Sequence, residues 1–98
     1  MESATKVQLI SRKKGTGQYQ ISIPTAIAFA SARQGNTDIY VMDLTGQNLR
    51  RVTEDPAVDD SPAWSPDGRR LAFVSERDGN REVYVCDASG GNLQRITD

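Results

Sequence analysis

Four acidic residues lie close together in one stretch of the sequence, Glu54, Asp55, Asp59 and Asp60. Carboxylate oxygens are the ligands that calcium prefers, so this stretch is a candidate cation site. The spacing of the four residues matches no complete calcium-binding loop, and Asp is common in loops because its side chain bonds the local backbone. We therefore interpret the stretch as a solvated loop and predict no metal site.

Several side chains could act as nucleophiles, but the sequence contains no histidine. Ser61, Ser65 and Ser75 therefore have no imidazole to activate them, which excludes a Ser-His-Asp hydrolase on this chain. Asp67 lies in a Ser-Pro-Asp-Gly segment, and these are the residue types of a tight turn. Cys86 is the one cysteine, so no intrachain disulfide can form. We expect no catalytic residue, no cofactor and no enzymatic activity.

The densest positive charge is the run Arg12, Lys13 and Lys14, which precedes a glycine. Cations beside glycines could contact the phosphates of nucleic acid. No aromatic residue interrupts the run, however, and the net charge of the chain is −1, so nothing attracts the whole chain to nucleic acid. We favour a solvated hairpin tip whose lysines discourage pairing with other strands, and nucleic-acid contact is the alternative.

An internal repeat occupies most of the sequence. Residues 27–54 align with residues 71–98 without a gap, at an offset of 44, and 14 of the 28 positions are identical. A period of this length is typical of propeller blades or solenoid units. Cys86 takes the place of Met42, which indicates a buried apolar position. The identical pairs are Ala28/Ala72, Phe29/Phe73, Ser31/Ser75, Arg33/Arg77, Gly35/Gly79, Asn36/Asn80, Tyr40/Tyr84, Val41/Val85, Asp43/Asp87, Gly46/Gly90, Asn48/Asn92, Leu49/Leu93, Arg51/Arg95 and Thr53/Thr97.

The second copy of the repeat reads as four short strands. Residues 71–75 and 82–86 are rich in apolar, β-branched and aromatic residues, and residues 93–97 alternate between apolar and polar. Residues 61–65 precede them, and clusters of Asp, Asn, Pro and Gly separate the segments. Four short strands joined by tight turns predict one propeller blade.

The segment Ser-Pro-Ala-Trp-Ser-Pro-Asp-Gly at residues 61–68, followed by Leu71-Ala72-Phe73 and Tyr84-Val85, resembles the repeat of TolB-like propellers. The resemblance covers residues 27–98 and implies an all-β fold of two four-stranded antiparallel blades. Propellers commonly bind partners on the loops at the ends of their channel, here residues 55–61 and the turns at 33–36 and 77–80. The candidate protein contacts are Arg33, Asn36, Asp59, Asp60, Arg77 and Asn80.

The N-terminal segment departs from the repeat. Residues 17–26 share nothing with residues 61–70, so the first blade is either incomplete or completed by another segment. Residues 6–10 and 19–23 alternate and predict a β-hairpin whose connection is residues 12–17. Residues 5–28 resemble the start of an AbrB-like swapped-hairpin DNA-binding domain, in which a helix would follow. Residues 24–33 could therefore start a helix, but the repeat favours a strand.

A join of two unrelated pieces near Ala26 predicts an engineered or recombined chain. The expected divisions are an N-terminal hairpin (1–26), an incomplete first blade (27–56) and a complete second blade (57–98). No membrane span or export signal is recognisable, so we expect a soluble chain whose compartment the sequence does not predict.

Two blades leave apolar flanks that need a neighbour. We therefore expect self-assembly into a closed propeller, as a dimer or a trimer, and the alternative is a monomeric β-sandwich whose hairpin covers the open face. The predicted function is that of a non-enzymatic propeller fragment, a self-assembling structural or protein-interaction module. The alternative function is that of a DNA-binding hairpin fused to a propeller fragment.

Overall fold

The structure, a computed structural model, describes residues 4–14 and 21–98, with side chains from residue 26 onward. The described residues form two four-stranded antiparallel sheets, of order β1-β2-β3-β4 (blade one) and β5-β6-β7-β8 (blade two). The predicted all-β class and the antiparallel pairing are confirmed. The strands are β1 (Ala4–Lys14), β2 (Ile21–Ser31), β3 (Asp38–Met42), β4 (Arg50–Arg51), β5 (Asp59–Trp64), β6 (Arg70–Ser75), β7 (Glu82–Asp87) and β8 (Gln94–Arg95).

The N-terminal segment supplies the first strand of blade one. Leu9 pairs with Ile27 as Trp64 pairs with Leu71 in blade two, so β1 takes the position of β5 although the two segments share no sequence pattern. Of the two possibilities that the sequence left open, blade one is therefore completed rather than incomplete. Backbone hydrogen bonding can complete a sheet with any compatible strand, because the ladder is made by main-chain groups.

Strand β2 is continuous from Ile21 to Ser31 and crosses residue 26, where the sequence predicted a junction. The strand predicted from residue 27 is confirmed and the helical alternative is wrong. Ala28 and Ala30 favour a helix by intrinsic propensity, but they pair with Val41 and Ile39 of β3, and this pairing outweighs the propensity. The division into residues 1–26, 27–56 and 57–98 stays a prediction.

The basic run was expected in the hairpin connection, and this placement is wrong. Arg12, Lys13 and Lys14 belong to β1 and pair with Ile23, Ser22 and Ile21. In blade two the pairing of β5 with β6 ends at Trp64 and Leu71. In blade one the pairing of β1 with β2 continues past the equivalent position, Leu9 and Ile27, as far as Lys14 and Ile21. Residues 15–20, which include the rest of the predicted connection and the start of the predicted second strand, lie outside the described residues.

The core lies between the two blades. Successive residues of a strand point to opposite faces, so each blade has two faces. An aliphatic face of blade one meets a face of blade two that carries Phe73 and Tyr84, which we call its aromatic face. The buried cluster comprises Ala28, Ala30, Ile39, Val41 and Val52 of blade one and Leu71, Phe73, Tyr84 and Cys86 of blade two.

Hydrogen bonds to main-chain carbonyls and one close approach of the backbone join the two blades. The amide of Asp59 donates to the carbonyl of Thr37 (2.9 Å), and a guanidinium nitrogen of Arg50 donates to the carbonyl of Ala88. Gly90 has a φ of +95° and lies so close to Val52 that a Cβ there would be 2.6 Å from the Val52 carbonyl oxygen. A glycine is therefore required at position 90 for two reasons, its backbone conformation and the approach of blade one.

The turn between β3 and β4 shows why its Asp recurs in both copies. The Asp43 carboxylate accepts hydrogen bonds from the hydroxyl of Thr45 (2.6 Å), the amide of Gln47 (2.9 Å) and the side-chain amide of Asn48 (2.9 Å). These bonds, led by that from Thr45, hold the pKa of Asp43 below its usual value. The acidic residue of this turn therefore stabilises the loop conformation.

Candidate functional site

The most buried ion pair among the described residues joins Asp59, at the start of β5, to Arg77, in the turn after β6. Asp59 is fully buried, and its carboxylate accepts a hydrogen bond at 2.8 Å from Nη2 of Arg77. Arg77 also donates from Nε to Ser75 (3.0 Å), and its guanidinium lies 5.5 Å from the ring centre of Phe73 and 5.1 Å from that of Tyr84. The side chain is therefore held on both its polar edge and its flat face.

Burial raises the pKa of Asp59, because the carboxylate has lost water, while the hydroxyls of Ser75 and Thr53 and the guanidinium of Arg77 oppose the shift. The ion pair therefore replaces, in part, the solvation that the carboxylate loses on folding. Such a pair is costly to break, since the remaining partner would be a buried charge. Its position between the blades indicates a structural role for both residues.

Blade one repeats the arginine arrangement. The guanidinium of Arg33 lies 5.0 Å from the ring centre of Phe29 and 5.1 Å from that of Tyr40, and its Nε donates to Ser31 at 3.1 Å. The two arginines that the sequence proposed as protein contacts are thus both folded back onto aromatic rings of their own blade. The backbone of each arginine lies in a turn, but its long side chain extends back over the sheet.

The other predicted contact residues lie on loops and turns. Asn36 and Asn80 are exposed, and the side-chain amide of Asn36 donates to the carbonyl of Asp55 (3.5 Å). Asp60 is half-buried and accepts a hydrogen bond from the amide of Ser61 (2.7 Å). Asp59, in contrast, is inaccessible to a partner because its side chain is buried. Protein binding by the other loop residues stays a prediction.

The acidic stretch does not converge on a common point. Asp55 accepts a hydrogen bond from the amide of Ala57, Asp59 is held by Arg77, and the side chain of Glu54 is largely exposed. Within residues 4–14 and 21–98, no three acidic or cysteine side chains come together in the manner of a metal site. In the same part of the chain there is no helix long and apolar enough to cross a membrane.

Cys86 is buried in the core, as its exchange with Met42 predicted. Burial raises the pKa of the thiol, so it is protonated at neutral pH and is a poor nucleophile. A cavity of about 180 Å³ adjoins the residue, and Val52, Thr53, Arg77 and Leu93 also line it. This space lies between the blades, beside a thiol that is buried and protonated.

Blade two has an uncovered aliphatic face. Val52, at the edge of the core, is 9% exposed, whereas its repeat equivalent Ile96 is 57% exposed. Ala72 and Val85 are likewise partly exposed, although their equivalents in blade one are buried. We define the open face of blade two as Ala72, Val74, Val83, Val85 and Ile96, which correspond to Ala28, Ala30, Ile39, Val41 and Val52.

A shallow pocket of about 200 Å³ adjoins this open face. Ala63, Trp64, Ala72 and Val85 contribute to its walls, which are largely apolar. In blade one the corresponding surface is occupied by side chains of blade two. The structure therefore shows no catalytic arrangement among its described side chains, and it leaves one aliphatic sheet face partly exposed.

Residues 5–98 match the TolB beta propeller domain, PD40. The chain belongs to this family. The match includes the N-terminal segment, and the comparisons with known proteins do not support its resemblance to AbrB-like domains. The TolB propeller resemblance of the repeat is confirmed.

The curated relatives of this TolB-domain chain match about one repeat. The Tol-Pal system protein TolB of Geobacter sulfurreducens is 46% identical over 45 residues, which is 46% of this chain and 10% of the relative. The TolB homolog of Chlorobaculum tepidum is 41% identical over 44 residues, 45% of this chain and 10% of the relative. The match thus spans about a tenth of the length of these relatives.

Solved structures of TolB share the fold over nearly the whole chain. The TolB structure from Agrobacterium tumefaciens superposes with a TM-score of 0.70 at 25% identity and covers 92% of this chain and 42% of that one. TolB from Acinetobacter baumannii gives a TM-score of 0.68 at 19% identity, with coverages of 99% and 33%. The two blades therefore superpose on a part of each of these TolB structures.

Sequence reasoning predicted apolar flanks on the TolB-like blades but did not identify the residues that form the open face of blade two. Residues 93–97 were interpreted as a strand that alternates between apolar and polar residues, and Ile96 was given no role. The signal was present in the repeat, since Ile96 aligns with Val52, and an aliphatic residue at the same position of two copies indicates a surface that a neighbour covers. A buried pair between Asp38 and Arg51 (2.5 Å) was also missed, because its partners lie on different strands.

Proposed function

We propose that this chain is a non-enzymatic propeller module that associates with itself and with other proteins through uncovered blade surfaces. The observation that carries the proposal is the contrast between Val52 and Ile96, which are equivalent in the repeat but 9% and 57% exposed. Blade two covers the first, and no residue within 4–14 and 21–98 covers the second. The same surface that forms the core in one blade is therefore available for binding in the other.

The physical reason for association is the apolar character of the open face. Burying one Val or Ile side chain contributes about 1.5–3 kcal/mol relative to full exposure. Val74, Val83 and Val85 already lie partly within their sheet, so most of the gain comes from Ile96 and from the removal of water from the centre of the patch. Contiguous apolar patches of this kind are typical of protein interaction sites.

The names of the relatives suggest a further protein partner. They are Tol-Pal system proteins, so we include in the proposal a component of such a system, bound at the turns that carry Asn36 and Asn80. Both asparagines are exposed and occupy equivalent turns of neighbouring blades. Because the chain spans about a tenth of these relatives, this part of the proposal concerns the blades and not the activity of a whole TolB protein.

The first test is the mass of the protein in solution as a function of concentration. Light scattering on a size-exclusion column should show a mass that rises above 10.7 kDa as the concentration increases. The Ile96→Glu variant should stay at the monomer mass, because a charge in the patch would have to be desolvated on association. An unchanging monomer mass for the unmodified chain would contradict self-association.

A second candidate function is nucleic-acid contact by Arg12, Lys13 and Lys14. The observation in its favour is that these residues lie where the pairing of β1 with β2 continues beyond the blade. Binding to duplex DNA would then be salt-dependent and would weaken in a variant that carries Lys13→Ala and Lys14→Ala. Fluorescence anisotropy with labelled duplex at two salt concentrations distinguishes this function from protein binding.

A further inference from the structure

The pairing of β1 with β2 continues beyond blade one as a two-stranded ribbon. A register shift between Ile10 and Ser11 separates this part from the blade, and shifts of this kind bend the strands and increase their twist. Four further residue pairs follow, which we call the basic ribbon, residues 11–14 of β1 and 21–24 of β2. At a rise of about 3.3 Å per residue, the ribbon is about 13 Å long.

The register divides the basic ribbon into two unlike faces. Paired residues of an antiparallel ladder lie on the same face, and successive residues of a strand alternate between the faces. Arg12 pairs with Ile23. Lys14 pairs with Ile21, two residues further along each strand, so one face combines two cations with two isoleucines. The other face carries the remaining residues, Ser11, Lys13, Ser22 and Pro24.

Positive charge is concentrated in the part of the sequence that forms the ribbon. Residues 3–37 contain five Lys or Arg and no Asp or Glu, a charge of +5. Residues 38–98 contain seven Lys or Arg and twelve Asp or Glu, a charge of −5. The net charge of −1 therefore conceals two segments of opposite charge, and such an asymmetry is typical of chains that bind an anionic partner through one segment.

We propose that the basic ribbon binds an anionic lipid surface through the face that carries Arg12, Lys14, Ile21 and Ile23. Cations are attracted to the phosphates of anionic headgroups, and aliphatic residues add affinity at the boundary between the headgroups and the acyl chains. The association is peripheral, so it requires no membrane span. It is also independent of the proposed self-association, which involves blade two.

The isoleucines distinguish a lipid surface from nucleic acid, the second candidate ligand of the same cations. Duplex DNA is recognised through its phosphates and the polar edges of its bases, and for an aliphatic residue it offers little beyond the methyl group of thymine. A headgroup boundary, in contrast, accepts cations and aliphatic residues side by side. Because the register places Ile21 and Ile23 on the face of Arg12 and Lys14, it favours the lipid surface.

The length of the ribbon allows its cations to act although the rest of the chain is acidic. At an ionic strength of about 0.15 M, electrostatic interactions are screened over about 8 Å. The ribbon is about 13 Å long, so the acidic blades lie more than one screening length from its end. Each Lys or Arg near an anionic surface strengthens binding about fivefold. The three cations of the ribbon together then contribute about a hundredfold.

The experiment is co-sedimentation of the full chain with sucrose-loaded vesicles at an ionic strength of about 0.15 M. One set of vesicles is phosphatidylcholine alone, and the other is equal parts of phosphatidylcholine and phosphatidylglycerol. The variant Arg12→Ala with Lys14→Ala removes two ribbon charges, and its matched control, Arg69→Ala with Arg81→Ala, removes two exposed charges of blade two. Ile21→Ser removes an aliphatic residue without a change of charge. Circular dichroism and a thermal melt establish that each variant folds, and fluorescence anisotropy measures binding to labelled duplex DNA in the same buffer.

The proposal predicts binding to the phosphatidylglycerol vesicles and not to phosphatidylcholine alone. The Arg12 and Lys14 double variant should bind about thirtyfold more weakly, Ile21→Ser about tenfold more weakly, and the Arg69 and Arg81 control within about twofold of the unmodified chain. Absence of binding to the anionic vesicles, equal binding to the two kinds of vesicle, or equal losses in the two double variants would overturn it. Binding to duplex DNA that Ile21→Ser leaves intact, without binding to vesicles, would overturn it in favour of nucleic acid.

Discussion

Replacing Gly90 by alanine tests how closely the two blades approach each other. Gly90 and Gly46 occupy equivalent turns with φ values of +95° and +85°, so an alanine at either site costs about 1–2 kcal/mol of backbone strain. At Gly46 a Cβ would meet nothing within 4 Å, whereas at Gly90 it would lie 2.6 Å from the carbonyl oxygen of Val52. Backbone must then move, and displacements of this kind cost about 1–3 kcal/mol more.

We therefore expect Gly90→Ala to lower the free energy of unfolding by about 2–5 kcal/mol, and Gly46→Ala by about 1–2 kcal/mol. Urea unfolding followed by circular dichroism measures both, at one low protein concentration so that association does not contribute. The two substitutions are chemically identical and differ in the neighbour alone. Equal losses at the two positions would refute the close contact between the Gly90 turn and blade one.

Substitutions at three further positions test the interior and the turns. Asp59→Asn should lower the free energy of unfolding by about 3–5 kcal/mol, because Arg77 then keeps its charge in a buried site without a charged partner. Urea unfolding at neutral pH measures this loss. A loss of less than about 1 kcal/mol would show that the ion pair is dispensable for stability. Asp43→Asn should destabilise the protein at neutral pH. The difference in stability from the unmodified chain should vanish as the pH falls below 3.8 and through the depressed pKa of Asp43, because the carboxylate that Thr45 stabilises is then protonated in the folded and in the unfolded state. Thermal melts between about pH 2 and 7 measure the difference, and its persistence in acid would contradict this reasoning. Cys86→Met should change the free energy of unfolding by less than about 1.5 kcal/mol, because the cavity beside Cys86 can take the longer side chain. Cys86→Ser should lower it by about 1–3 kcal/mol, because it buries a hydroxyl. The opposite order in urea unfolding would show that the cavity does not accommodate Met.

The repeat in the sequence predicted most of blade two, because the information for its strands is local. Residues 71–75 and 82–86 became β6 and β7 within one residue at each end, and the Asp and Gly of the turns took the roles that their residue types predict. The same reasoning predicted a strand at residues 6–10, within β1, but it could not assign that strand to the first position of blade one. Its pattern resembles no inner strand of the repeat, and a sheet accepts it through main-chain hydrogen bonds that carry no sequence signature.

The candidate contact residues were identified from loop position, and their fate depended on where their side chains reach. Arg33 and Arg77 lie at turns, but each guanidinium lies back over two aromatic rings. Asp59 begins a strand and is buried by the neighbouring blade, although an acidic residue in a loop-rich segment is usually exposed. Side-chain length and the position of the next blade decided these outcomes, and neither can be read from residue spacing.

What the sequence alone determined is the repeat, the all-β class and the turn chemistry, because each follows from residues close together in the chain. The tertiary structure decided which face of each blade is covered. Val52 and Ile96 occupy equivalent positions of the repeat, yet one lies at the edge of the core and the other is largely exposed. The local sequence sets which face of a strand is apolar, but burial requires a partner sheet, and among the described residues the aliphatic face of blade one has such a partner whereas that of blade two is partly exposed.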